Sequence, residues 1–122
     1  HLLQTQVRLA MNTICTLTDK RCKPCEGGMP PLSGAEADGL MRQLDGWQRY
    51  DHLINKTYHF KDYYQTIAFV NAVAWMSHRE DHHPDLTVTY NSCQVEYTTH
   101  AIHGLSENDF ICAAKVDNLF KI

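Results

Sequence analysis

The pattern that most limits the fold of this chain is an alternation of apolar and polar residues that follows Pro84. In residues 86–90 apolar side chains alternate with threonines, and residues 93–97 alternate in the same way after Asn91 and Ser92. A period of two residues on both sides of a short polar turn is typical of an antiparallel β-hairpin with one buried face. The sequence therefore predicts such a hairpin, and its apolar face needs helices to cover it.

Capping residues mark the starts of three predicted helices. Ser33 is followed three residues later by Glu36, which is the spacing of a capping box. Asp62 is a candidate N-cap for a long second helix. Ser106, with Asp109 three residues later, marks the start of the last helix.

The second predicted helix has an apolar stripe with a helical period. Residues from Tyr64 to Trp75 recur at spacings of three and four, and the same stripe reaches His78 and then His82. Pro84 cannot continue a helix, so the helix ends close to it. We therefore expect this stripe to face the core and to place His78 beside His82.

The order of the predicted elements defines the fold class. Aromatic and β-branched residues between 47 and 60 favour two strands joined near residues 51–53. The order is then α-β-β-α-β-β-α, which predicts an α+β domain over residues 33–122, with helices on one face of a four-stranded antiparallel sheet. Residues 1–32 contain "CKPC", "GG" and "PP" and are expected to form an irregular N-terminal arm. The chain starts with His1 rather than Met, so part of this arm is a candidate for a vector-derived remnant.

Charge and cysteine content exclude several classes of protein. A formal net charge of −3 without a basic stripe argues against binding to nucleic acid. No apolar run is long enough to cross a bilayer, and the first residues lack the features of a signal peptide. Five cysteines are an odd number for such a chain, so a disulfide framework is not expected. We expect a cytoplasmic protein that binds neither nucleic acid nor membrane.

Histidines are concentrated at the two ends of the predicted hairpin. His78, His82, His83, His100 and His103 fall within 26 positions, and the hairpin should bring its two ends together. Imidazole changes its charge near neutral pH, so one histidine can donate a proton while another accepts one. A zinc site formed by His78, His82 and His100 and a set of merely solvated histidines are the alternatives. No nucleophile elbow, P-loop or dinucleotide fingerprint points to covalent or nucleotide chemistry.

Seven residues between positions 78 and 109 form a recognisable pattern: His78, His82, His83, Pro84, Tyr90, His100 and Asp109. The segment "THAIHGLSENDF" precedes and opens the last predicted helix. The spacing of these seven residues and this segment resemble the pterin-4a-carbinolamine dehydratase family, and the resemblance covers about residues 33–120.

This resemblance implies dehydration of a 4a-hydroxytetrahydropterin to the quinonoid dihydropterin, a step in tetrahydropterin recycling. It implies that His82 and His100 perform the proton transfers and that His83 positions the substrate, without a metal or other cofactor. The residues expected to bind or orient the substrate or the histidines are His78, Asp81, Pro84, Tyr90 and Asp109.

The resemblance also implies partners. We expect a homodimer or homotetramer that binds a pterin and is functionally coupled to an aromatic amino-acid hydroxylase. An alternative from the same family is a partner-binding role, as a dimerisation cofactor of a transcription factor. The uncovered sheet face or the last helix is the candidate surface for pairing subunits.

Cys22 and Cys25, in "CKPC", lie outside the resemblance. They are open to three interpretations: half of a zinc site completed across an oligomer, a redox pair, or two reduced thiols in a loop. Cys93 and Cys112 fall at predicted core positions and are expected to be inert.

Overall fold

The fold was analysed in a computed structural model, which describes residues 17–25 and 27–120. Two short 3₁₀ turns, Leu17–Asp19 and His100–Ile102, accompany the helices and strands. The predicted α+β fold and its element order are confirmed. The elements are α1 (Gly34–Met41), β1 (Gln48–Tyr50), β2 (Leu53–His59), α2 (Tyr63–Glu80), β3 (Asp85–Val88), β4 (Ser92–Tyr97) and α3 (Glu107–Phe120).

The sheet has the order β1-β2-β4-β3, and all neighbouring strands are antiparallel. On β4 the side chains of Cys93, Val95 and Tyr97 are fully buried, and those between them are only partly buried. The predicted hairpin is confirmed as the pair of β3 and β4. Asp85 lies opposite Glu96, so the residues before β3 and those after β4 meet at one end of the sheet.

The predicted caps are confirmed, with one difference. Ser33 and Glu36 form a complete capping box, and Asp62 caps α2. At α3 the Ser106 N–H donates to Asp109 Oδ2 at 3.0 Å, so the acid caps the helix while the serine hydroxyl bonds elsewhere. None of the helices in the described part of the chain is long and apolar enough to span a bilayer.

The predicted core-facing stripe of α2 is wrong. Tyr64 and Trp75 are 82% and 65% exposed, and another stripe of the helix is buried. Apolar residues occur on both sides of α2, so their spacing does not identify the buried side. Polar residues could be buried because they have partners: Thr66 donates to the Asp62 carbonyl, and Ser77 is bonded to Tyr97. The buried residues are Thr66, Phe69, Val73, Ser77 and Glu80.

His78 and His82 do not share a helical face, contrary to the prediction. α2 ends at Glu80, and Asp81 adopts a left-handed backbone with φ of 53°. The His82 N–H then donates to the Ser77 carbonyl at 3.2 Å, which closes the helix end and turns the chain away from the helix axis. His78 stays exposed on the outside of α2.

The last helix, α3, is central to the core. Its residues from 108 to 114 are all buried, and Asp117 near its end accepts hydrogen bonds from Trp47 and Lys56. The first half of this helix therefore leaves little surface for a second subunit. Pairing of subunits through the last helix stays a prediction.

Candidate active site

A cavity of about 520 Å³ opens where the end of α2, the turn after β4 and the N-terminal segment meet. His82 and His83 line it from the connection between α2 and β3, and His100 lines it from the 3₁₀ turn. The ring centroids of His83 and His100 are 6.5 Å apart, with 26° between the ring planes. The structure thus brings together three of the five histidines that the sequence singled out.

The turn that carries His100 is closed by a short bridge. The Thr99 N–H donates to the Gly104 carbonyl at 3.0 Å, and His103 between them adopts a left-handed backbone with φ of 55°. A Cβ at Gly104 would lie 2.6 Å from Pro31 Cβ, so only glycine fits here without displacing Pro31. This packing fixes the place at which His100 enters the cavity.

His82 is bonded to a fully buried carboxylate. Its Nε2 lies 2.6 Å from Asp109 Oδ1, and Asp109 Oδ2 accepts from Thr99 Oγ1 at 2.8 Å and from the Ser106 N–H. Asp109 is 0% exposed. An ionised carboxylate can only accept, so His82 donates from Nε2 and its Nδ1 is left to exchange a proton.

The His82 ring is held on its face as well. It stacks on Tyr97 with 5.6 Å between centroids and 13° between planes. Burial raises the pKa of Tyr97, whose hydroxyl is bonded to Ser77 at 3.3 Å. Tyr97 therefore stays protonated and gives His82 a flat, uncharged support.

The other predicted site residues are spread out. Asp81 lines the cavity, whereas Pro84 is not among its lining residues. Tyr90 is 64% exposed in the turn at the far end of the hairpin, where its carbonyl accepts from Thr66. The His78 ring lies 5.5 Å from that of Trp75 on the outside of α2.

The alternative of a zinc site formed by His78, His82 and His100 does not fit the described geometry. His78 does not line the cavity that holds His82 and His100. Within residues 17–25 and 27–120, no three His, Cys, Asp or Glu side chains are grouped closely enough to hold a metal ion.

Four residues of the N-terminal segment, which the sequence did not connect with the histidines, also line the cavity. They include both cysteines of "CKPC", and Cys22 Sγ lies 3.5 Å from Cys112 Sγ. This thiol contact and burial raise the pKa of Cys112, so it remains a protonated core thiol. We name residues 22–25 the N-terminal wall; they are Cys22, Lys23, Pro24 and Cys25.

Glu80, the last residue of α2, is a buried carboxylate with several donors. It accepts from Lys115 Nζ at 2.9 Å and from the Cys22 N–H at 2.9 Å, and Arg21 Nε lies 3.1 Å away. Burial alone would raise the pKa of Glu80, but these hydrogen bonds and cations outweigh it and hold the pKa below its ordinary value. The charged form therefore ties the N-terminal segment to both helices.

We expect Glu80→Gln to lower the free energy of unfolding by about 1–3 kcal/mol at pH 7, because a desolvated charged hydrogen bond is lost. Since the pKa of Glu80 is lower in the folded than in the unfolded state, this contribution is present above the unfolded value of about 4.3. It is lost as the pH falls through the folded value. Urea unfolding at pH 7 and at pH 3 measures the change. An equal loss of unfolding free energy at both pH values would contradict the role of the charged Glu80. Glu107→Gln, which changes an exposed ion pair, is the control.

Comparison with known proteins identifies the family of this chain. Residues 30–119 match the family described as Pterin 4 alpha carbinolamine dehydratase. Two relatives carry a provisional pterin-4-alpha-carbinolamine dehydratase name. That from Nitrosospira multiformis is 72% identical over 110 residues, 90% of this chain and 97% of the relative. That from Nitrosomonas europaea is 67% identical over 112 residues, 91% of this chain and 99% of the relative.

Two solved structures share the fold. A transcriptional coactivator/pterin dehydratase from Brucella melitensis has a TM-score of 0.70 at 31% identity, over 73% of this chain and 97% of that chain. A pterin dehydratase-like protein identified as a RuBisCO assembly factor of the alpha-carboxysome has a TM-score of 0.52 at 25% identity, over 62% of this chain and 87% of that chain. From the extent of the family match and the identity to these relatives, the chain belongs to the pterin-4a-carbinolamine dehydratase family.

Proposed function

We propose that this chain catalyses the loss of water from a 4a-hydroxytetrahydropterin, and that the reaction takes place in the cavity lined by His82, His83 and His100. The observation that carries the proposal is the convergence of these histidines, one of them bonded to the buried Asp109. The fold alone would not carry it, because a protein of similar fold has been identified as a RuBisCO assembly factor. The chemistry of the site favours the dehydratase.

The reaction needs an acid and a base on neighbouring atoms. The bond between C4a and the hydroxyl oxygen breaks while the adjacent ring nitrogen loses its proton, and the nitrogen electron pair forms the C=N bond of the quinonoid dihydropterin. One group must protonate the departing hydroxyl, and another must accept the nitrogen proton. We assign these transfers to His82 and His100, and we assign His83, whose ring lies beside that of His100, to positioning the substrate.

We assign Asp109 to orient His82 and to neutralise the positive charge of its protonated ring. With its Nε2–H donated to Asp109, His82 exchanges protons through Nδ1, and the carboxylate stabilises the positive charge of the protonated ring. We also assign Asp81, which lines the cavity, to orienting the histidines.

The experiment that tests the activity is a dehydration assay with the purified protein. The carbinolamine is generated in situ, and the appearance of the quinonoid dihydropterin is followed by absorbance. We expect the protein to accelerate this step over the rate in buffer. An unchanged rate at micromolar protein would contradict the proposal.

We also propose that copies of this chain associate through the outside of α2. Tyr64 and Trp75 are the most exposed large aromatic side chains of that helix, on the side that does not contact the core. Exposed aromatic residues are enriched where protein surfaces meet, because they bury a large area on association.

We expect Trp75→Ser to shift the protein to smaller species in sedimentation velocity, since it removes a large apolar contact from this surface. Thr57→Arg, on the exposed face of β2, is the comparison because it tests the uncovered sheet face. A wild-type monomer, or dissociation by Thr57→Arg alone, would contradict the assignment to α2.

A further inference from the structure

The N-terminal wall lines the same cavity as the three histidines, yet it lies outside the family match, which starts at residue 30. It has no regular secondary structure, so no helix or strand of its own holds it in position. Its place beside the histidines therefore depends on bonds from other parts of the chain.

Asn108 provides the closest of these bonds. The Lys23 N–H donates to Asn108 Oδ1 at 3.0 Å, and Asn108 Nδ2 donates to the Lys23 carbonyl at 2.5 Å. Asn108 Nδ2 also lies 3.4 Å from Cys25 Sγ. The side-chain amide thus pairs with both backbone polar groups of one wall residue. Asn108 is only 8% exposed, whereas Lys23 is exposed, so these bonds are shielded from water on the Asn108 side.

A second anchor comes from α2. Glu80 accepts from the Cys22 N–H and pairs with Arg21, directly before the wall. The wall is therefore bonded to the last residue of α2 and to the first turn of α3. Those are the elements that also place His82 and Asp109, since Asn108 and Asp109 are neighbours in the chain.

We propose that Asn108 is a positioning residue that holds the N-terminal wall against bound pterin, so that the wall sets the affinity for the substrate. This inference rests on the proposed function. Lys23 and Pro24 both line the cavity. Pterin is a flat ligand with polar edges, so Lys23 can supply a hydrogen-bond donor to it and Pro24 an apolar ring. The wall adds contact area for the substrate and takes no part in the proton transfers.

Asn108→Ala tests the proposal because it removes the amide and leaves Asp109 in place. We expect the Kd of a non-reacting 7,8-dihydropterin, measured by fluorescence titration, to rise about tenfold, as for loss of shielded hydrogen bonds. KM for dehydration should rise similarly, with kcat within about twofold of wild type. Amide hydrogen exchange at Lys23 should become faster. Asn118→Ala, on an exposed position of the same helix, is the control and should change none of these.

A merely structural role of Asn108, acting through its neighbour Asp109, would instead lower kcat and leave the dihydropterin Kd unchanged. That result, or no change in either quantity, would overturn the proposal. The double change Lys23→Gly and Pro24→Gly keeps the backbone bonds to Asn108 and should raise Kd in the same way. It tests the wall even if Asn108→Ala does not fold, and an unchanged Kd there would also overturn the proposal.

The two proposals fail in different measurements. Dihydropterin affinity is measured without turnover, so a wall that does not contact the pterin appears as unchanged affinity in the variants. A wrong dehydratase assignment appears as absence of turnover in the wild type. A wild-type protein that binds no dihydropterin would overturn both.

Discussion

Replacing His82 or His100 with alanine should lower kcat for dehydration by about 10²–10⁴-fold, which is the usual contribution of a positioned acid or base. Each variant removes one of the two groups that move a proton, while the other histidines still line the cavity. His100 is exposed, so its removal should leave the free energy of unfolding nearly unchanged.

His59→Ala is the matched control, because His59 is exposed on β2 and does not line this cavity. Steady-state dehydration kinetics and urea unfolding should be measured on all three variants. Wild-type kcat in either His82→Ala or His100→Ala would contradict the assigned proton transfers. His83→Ala should instead raise KM more than it lowers kcat, because positioning is its assigned role.

Asp109→Ala should have the second-largest effect on kcat, and it should also lower the free energy of unfolding. It leaves three buried or half-buried groups without their acceptor: His82 Nε2, the Thr99 hydroxyl and the Ser106 N–H. Loss of a buried acceptor with a helix cap should cost about 2–4 kcal/mol of unfolding free energy, measured by urea unfolding. kcat should fall at least about tenfold, because His82 loses both its orientation and its counter-charge.

Asp109→Asn separates these two roles. The amide keeps one oxygen, so it should recover part of the stability, but it carries no negative charge for His82. We expect its kcat to remain close to that of Asp109→Ala. Recovery of wild-type kcat by the asparagine variant would contradict the charge-balancing role. Asp38→Ala, at a surface ion pair of α1, controls for general loss of an acid.

Much of the fold could be predicted because its signals are local. The alternation around Asn91 specifies the β3–β4 hairpin, and the caps at Ser33 and Asp62 are set by residues three positions apart. The buried side of α2 could not be found in this way. Trp75 was expected in the core and lies outside, because polar Ser77 and Glu80 are buried with partners from distant elements.

The candidate site could likewise be predicted only where local patterns determine it. The meeting of His82 and His100 follows from the hairpin, whose two ends lie side by side. The N-terminal wall depends on contacts between residues far apart in the sequence: Cys22 and Glu80 are 58 positions apart, and Lys23 and Asn108 are 85. No local pattern encodes such a pairing, so "CKPC" in the sequence did not predict a part of the cavity.

The measurement that tests the central claim most directly is single-turnover dehydration by the wild type and by the double variant His82→Ala with His100→Ala, at equal concentration and pH. The account predicts that the wild type accelerates the loss of water over buffer and that the double variant reduces this acceleration by at least about 100-fold. A double variant that dehydrates the carbinolamine within about threefold of the wild-type rate, about 0.7 kcal/mol in activation free energy, would show that the reaction does not depend on these histidines.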